Sequence, residues 1–293
     1  MKTFYIVDVF AERKYAGNQL AVFRDGGQYS SEKMQILARE MNFSETTFII
    51  TDKKKAGGFD VRIFTPAREV PFAGHPTLGT AFIIQRHLIQ KPVDKVILNL
   101  EAGQIPVTFT YAGDEAEWLW MRQKTPRFGD SLDLGLVAES LHLNRSDLDG
   151  RFPAEEVSTG IPFLIVPVKT LAAMKRARVN QDLFMALVKD KKAKAPLLFC
   201  PETYSEKHDL NVRVFADYYQ VPEDAATGSA NGCLAGYLVK NRFFQSGSID
   251  IHVEQGCEIG RPSLLCLKAE EKEKEIVVHV GGRVFSVAQG ELE

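Results

Sequence analysis

At 293 residues the chain has room for two domains of about 150 residues each, or one large one. Its 36 Lys and Arg against 38 Asp and Glu leave a net charge of −2, which argues against nucleic-acid binding through a globally basic surface. No run reaches the roughly 18 apolar residues of a membrane span, and Asp8 closes the short apolar run at the N-terminus, so no signal peptide is expected.

In chain order, the first half reads as strands at residues 3–10, 20–23, 46–51, 59–65, 95–100, 105–111 and 117–121, from alternating or β-branched residues. Ser31 is placed to cap a helix over residues 32–41, with Met34, Leu37, Ala38 and Met41 on one face. The second half reads as strands at residues 163–168, 197–200, 210–215, 249–253, 264–267, 276–280 and 284–288, with peripheral helices at 134–141 and 181–188. Two segments differ in kind. Over residues 72–85 His75 is the only titratable side chain, and residues 228–239 carry no charge at all. A helix apolar on every face is buried on every face. Gly79, Ala81, Gly232, Ala235 and Gly236 leave room for strands to approach closely. Each half is therefore expected to be a curled sheet around a central helix, an α+β fold.

The halves echo one another. Val61-Arg62-Ile63-Phe64 returns as Val212-Arg213-Val214-Phe215, an offset of 151. Val70-Pro71 matches Val221-Pro222, and the runs opened by Gly74 and Gly228 follow. Further on, Leu100-Glu101-Ala102-Gly103 echoes Val253-Glu254-Gln255-Gly256. A period of this length exceeds the roughly 20–50 residues of solenoid repeats and fits two fused, similar domains. Residues 123–131, with Pro126 and Gly129, make the best boundary, giving domains at 1–124 and 125–293, with the terminal strand free to cross back.

The first turn of a helix leaves amides without intrahelical partners, which attract anions. Pro76 suits such a turn. The amides of Thr77 and Leu78, and of Ser229, Ala230 and Asn231, are expected to point out of the two helix ends. If the halves pack about a pseudo-twofold axis, both ends face one cleft, and a small acidic ligand is the expectation. The plainer alternative is that side chains of the protein cap both ends.

Candidate chemistry gathers at the same places. Asp224 precedes the second helix, and Ser229 takes the position that His75 holds in the first copy. A hydrolase triad of Asp224, Ser229 and His75 is one reading, but no Gly-x-Ser-x-Gly elbow is present. Asp224 as a turn residue and Ser229 as an N-cap are at least as good. Glu45 opens a strand between Phe43 and Phe48. In apolar surroundings its carboxyl would serve as a general acid or base near neutrality, whereas local sequence alone favours a solvated loop glutamate. Cys200, Cys233, Cys257 and Cys266 have no CxxC spacing and the six histidines are dispersed, so neither a zinc site nor a disulfide framework is expected, and a reducing, cytoplasmic setting is. The charged stretches at 53–55, 189–194 and 268–275 read as turns and solvated surface.

Residues 61–66 leading through Glu69 to Gly79, with 223–230, Gly17-Asn18 before residues 20–23, and 44–48, resemble the landmarks of the PhzF-like phenazine-biosynthesis isomerase family, in order and across almost the whole chain. The resemblance implies the diaminopimelate epimerase-like fold, with two pseudo-symmetric domains and no metal or organic cofactor. It implies Glu45 as the proton-transferring acid/base, with Asn18, Gly74, His75, Asp224, Gly228 and Ser229 binding substrate or assisting. It also implies a small carboxylate-bearing substrate and, as in many relatives, a homodimer. Racemases of this fold use paired cysteines at the helix ends. Here those regions carry Ala73 and Ala226-Thr227-Gly228, and Cys233 lies one turn inward, which disfavours a two-thiol mechanism. Gln19, Ala73 and Pro76 depart from common family residues and leave the namesake substrate open. The leading expectation is an isomerase moving a proton on a small acid. An amino-acid racemase or epimerase, and a non-catalytic small-acid binder, are the alternatives.

Overall fold

The computed structural model describes residues 2–219, 221–273 and 275–292. The chain forms two compact units, residues 1–122 with 281–293, and residues 123–280. Up to residue 122 the elements are β1 (Lys2–Val9), β2 (Asn18–Phe23), α1 (Ser31–Met41), β3 (Glu45–Ile49), β4 (Phe59–Phe64), β5 (Glu69–Val70), α2 (Gly74–Ile83), β6 (Lys95–Leu100), β7 (Gly103–Ala112) and β8 (Glu115–Arg122). The chain continues with β9 (Arg127–Leu132), α3 (Leu134–Ser140), β10 (Ala154–Ser158), β11 (Pro162–Pro167), α4 (Leu171–Arg176), α5 (Gln181–Leu187), β12 (Pro196–Cys200), β13 (Leu210–Ala216) and β14 (Val221–Asp224). It ends with α6 (Gly228–Lys240), β15 (Ser248–Gln255), β16 (Ser263–Lys272), β17 (Glu275–Gly282) and β18 (Val284–Leu292).

In the N-terminal unit the ladders run β18–β1–β2–β3–β4–β6–β7–β8, parallel at β2–β3 and β4–β6 and antiparallel elsewhere. The C-terminal unit repeats that pattern in β9–β10–β11–β12–β13–β15–β16, parallel at β11–β12 and β13–β15. In both, a short strand folds back onto its predecessor immediately before the central helix, β5 onto β4 and β14 onto β13. The sequence echo is thus an echo of topology.

The central helices are as buried as their composition requires. Every residue of α2, and residues 228–239 of α6, lie below the surface. Helix α2 packs against β1, β2, β3, β6, β7, β8 and β18, so the sheet of its unit curls around it. Among the described residues no ladder joins β8 to β18, and the curl stays open along that seam. Helix α1 covers the outer face with Met34, Leu37 and Ala38 against Phe23 and Phe48, which stack at 5.0 Å. Helices α3, α4 and α5 cover the other unit through Val137, Met174 and Phe184.

Local differences from the sequence reading have identifiable causes. Ser30, not Ser31, caps α1, its hydroxyl accepting from the Lys33 amide at 3.3 Å, while the Ser31 hydroxyl accepts from Arg62. Residues 127–132, read as linker, form β9, a largely exposed strand too polar to alternate visibly. Strand β10 escaped notice because its Glu155 and Glu156 are buried, bonded to Lys240 and to the Ala193 amide.

The echoed glycines carry unequal loads. Gly103 has φ +113° with open space around it, whereas Gly256 has φ +76° and a Cβ there would stand 2.5 Å from the Arg261 carbonyl and 2.6 Å from that of Ala225. Both sites strain a side chain, but only Gly256 also drives it into rigid backbone. Gly256→Ala is therefore expected to lose about 2 kcal/mol more than Gly103→Ala in urea unfolding. Equal losses would show that the close approach at Ala225 relaxes freely.

Candidate active site

In the N-terminal unit the site grows from the entry to α2. The residue before the helix, Ala73, has no side chain able to cap it. The amides of Gly74 and His75 fall in the first turn, where α-helical geometry supplies no partner. Thr77 is already one residue too deep: its amide donates to the Ala73 carbonyl at 3.3 Å, and its hydroxyl to the same oxygen at 2.7 Å. The expectation of open amides at Thr77 and Leu78 is corrected accordingly, because the fourth helical residue reaches back to the residue before the helix.

Glu45 reaches this end from the first position of β3, paired with Leu20 of β2. A hydrogen bond of 2.8 Å between the buried Thr47 and Thr80 hydroxyls ties β3 to α2 and fixes the distance between them. Glu45 Oε2 stands 3.5 Å from His75 Nε2, with the two side chains 19% and 5% exposed. Glu45 is thus neither a solvated loop residue nor fully sealed. Asn18, 4% exposed, opens β2 beside Gln19. The loop before it is anchored by the Tyr15 amide donating to buried Asp8 at 2.6 Å.

Burial pushes the His75 imidazole down to about 3, and a backbone hydrogen bond with Gln19 only partly opposes this. The ring is therefore neutral near pH 7, and its contact with Glu45 is not an ion pair there. A backbone partner that favours the charged ring must accept a ring proton. Nε2, buried and without a hydrogen bond, is then left with its lone pair toward Glu45.

The C-terminal unit builds the matching helix end differently. Thr227 precedes α6, but its hydroxyl donates to Asp224 Oδ2 at 2.6 Å and caps nothing. Gly228, Ser229 and Ala230 occupy the first turn, whereas the Asn231 amide donates to the Thr227 carbonyl at 3.0 Å and is not open. Ser229 is the second helical residue and not a cap, the place His75 holds in α2. Gln255, fully buried, was not foreseen. Its amide donates to the Asp224 carbonyl at 2.8 Å and the Thr227 hydroxyl at 3.1 Å, and accepts from the Thr227 amide and Asn231. The Glu-Gln-Gly echo marked its position but not its use.

The structure thus gathers Asn18, Glu45, Gly74 and His75 in one unit, and Asp224, Gly228 and Ser229 in the other. Register sets the copies apart. Thr47 pairs with Ile63 where Leu197 pairs with Val214, the echo of Ile63, so the buried Ala195, two residues before Leu197, stands in the place of Glu45. Cys233 is buried in α6 with its sulfur 3.6 Å from the Thr159 hydroxyl and the Ile161 carbonyl, and burial pushes its thiol up to about 11. Among the described residues no three His, Cys, Asp or Glu side chains gather to hold a metal, and no helix is long and apolar enough to cross a membrane.

A duplicated sheet curled round a buried helix defines an α+β protein of the epimerase-like class. The solved structure of a probable proline racemase from Agrobacterium radiobacter shares this fold, with TM-score 0.65 at 10% identity, over 100% of this chain and 93% of the other. A Bacillus anthracis phenazine biosynthesis protein of the PhzF family superposes with TM-score 0.90 at 26% identity, covering 100% and 99% of the two chains. A trans-2,3-dihydro-3-hydroxyanthranilate isomerase of Pseudomonas aeruginosa is 33% identical over 99% of both chains. Residues 7–290 match the model of the phenazine biosynthesis-like proteins, PhzC-PhzF, and the chain belongs to that family, whose members of this kind are isomerases.

The depressed His75 value fixes a sign. Below about pH 6.5 the unfolded chain takes up a proton that folded His75 refuses, so this residue's contribution is complete above that pH and is lost as pH falls toward about 3. Between pH 7 and 5 the loss is about 2 kcal/mol. His75→Gln removes that dependence, so in urea titrations the variant should lose about 2 kcal/mol less than the parent over this interval. Parallel losses would mean that His75 is charged in the fold.

Proposed function

We propose that the protein is a cofactor-independent isomerase that moves a proton along a small carboxylate-bearing substrate, with Glu45 as the single general acid/base. The observation that carries this reading is the contact of Glu45 with neutral His75 at an uncapped helix end, together with Ala195 in the corresponding place of the second copy. A racemase that takes a proton from one face and returns it to the other needs two such groups. Among the described residues one carboxylate, Glu45, stands against an imidazole at such a helix end, and the Cys233 thiol is held protonated.

In the proposed mechanism the first-turn amides of Gly74 and His75 receive the substrate's carboxylate, through hydrogen bonds and the helix dipole. Glu45 takes a proton from one carbon of the substrate and returns it to another. The lone pair of His75 accepts a hydrogen bond from the Glu45 carboxyl after it has taken the proton, and so holds the acid in position between the two transfers. A neutral imidazole suits this task, because a charged one would keep Glu45 ionised. Asn18 is assigned to substrate binding, and Asp224, Gly228 and Ser229 to assistance, on their places at the entries to their helices.

The reaction named for the Pseudomonas aeruginosa relative supplies the first substrate to try, trans-2,3-dihydro-3-hydroxyanthranilate, followed by a panel of unsaturated small carboxylic acids. In deuterated water the parent should isomerise one of them, and Glu45→Gln should lower that rate by about 10²–10⁴-fold. Cys233→Ser should leave it within a few-fold of the parent. Isomerisation retained in Glu45→Gln would overturn the role of Glu45, and activity abolished by Cys233→Ser would favour a thiol racemase instead.

A further inference from the structure

The open seam of the N-terminal sheet forms a second concave site, apart from Asn18, Glu45 and His75. A cavity of about 240 Å³ lies there, lined by the start of β8, the start of β18 and the far end of the α2 segment. All its lining residues belong to the N-terminal unit. The seam lies where β8 and β18 do not pair, and the helix contributes the buried Phe82 and, in the π-helical turn that continues α2, the exposed Arg86 to its lining.

Three cationic residues line this cavity, Lys14, Arg86 and Arg283. None of their side chains has a hydrogen bond or ion pair among the described residues, although Glu115 and Glu117 line the same space. The guanidinium groups instead lie over aromatic rings, Arg86 at 5.8 Å from the Phe82 centroid and Arg283 at 5.2 Å from that of Phe285. Such stacking leaves the edges of a guanidinium, which carry its donors, free for an anion. Ser286 lines the same cavity, and its hydroxyl is buried without a partner among the described residues. Cations without carboxylate partners, stacked on aromatic rings, are suited to receive an anion.

We propose that this seam binds a small organic monocarboxylate, its carboxylate held by Arg86 and Arg283 and its apolar body resting near Phe82 and Phe285. The charge balance selects the class. With two carboxylates opposite three cations the site has one net positive charge, which suits a monoanion and disfavours a phosphate dianion facing Glu115 and Glu117. The apolar rings disfavour an inorganic ion.

The only two tryptophans of the chain, Trp118 and Trp120, lie on β8 next to Glu117, so the intact protein reports occupancy through its own fluorescence. Benzoate, phenyl phosphate and inorganic phosphate are the probes. Benzoate should change the emission saturably, with calorimetry giving the same Kd. Arg86→Gln and Arg283→Gln should each raise that Kd at least tenfold. Glu117→Gln should lower it about threefold, a gain that damage to the fold cannot imitate. Glu45→Gln should leave it unchanged, which separates this site from the proposed catalytic one. The proposal is overturned if benzoate gives no saturable change, if the arginine variants bind it like the parent, if Glu45→Gln weakens it, or if either phosphate binds more tightly than benzoate.

Discussion

A helix without a polar face is the constraint on which the rest of the structure depends. Neither α2 nor α6 has a side to show to water, so each must be enclosed, and a curled sheet of seven or eight strands is what encloses it. Enclosure brings the helix dipole and the open amides of the first turn into surroundings where water screens them poorly. In both copies the residue before the helix leaves those amides uncapped, and the fourth helical residue, Thr77 or Asn231, bonds back to its carbonyl. The helix end is thus rigid and still open to an anion.

Duplication supplied two such ends, and divergence gave them different chemistry. Glu45 and His75 stand at one, Ser229 at the other, with Ala195 where a second carboxylate would be. The hairpin before the helix is held through a backbone bond from Ala102 to Pro71 in the first copy and through the Gln255 side chain in the second. This asymmetry favours a one-base proton shift over two-faced racemisation, and it explains how a fold shared with a probable proline racemase serves in an isomerase family.

Much of the fold was legible because its signals are compositional. Charge-free helices, β-branched strands and a Val-Arg-Ile-Phe tetrad echoed as Val-Arg-Val-Phe survive inspection of a single sequence. Strands β9 and β10 were not legible, since one is an exposed polar strand and the other buries two glutamates whose partners, Lys240 and Ala193, lie far along the chain. The site was legible as residue types and not as bonding. Glu45 and His75 could be named, but which amides stay open depends on cap geometry, and Gln255 acts through contacts that no local pattern encodes. The protonation state of His75 was hidden for the same reason, because it follows from burial by strands distant in sequence.

The central claim is that a neutral His75 faces Glu45 with an unprotonated Nε2. The measurement closest to it is the imidazole ¹⁵N spectrum of His75, assigned by its loss in His75→Gln, followed from pH 8 to pH 5. The account predicts a neutral ring throughout, protonated at Nδ1, with no titration near pH 6.5. A midpoint near 6.5, or a proton on Nε2, would contradict it.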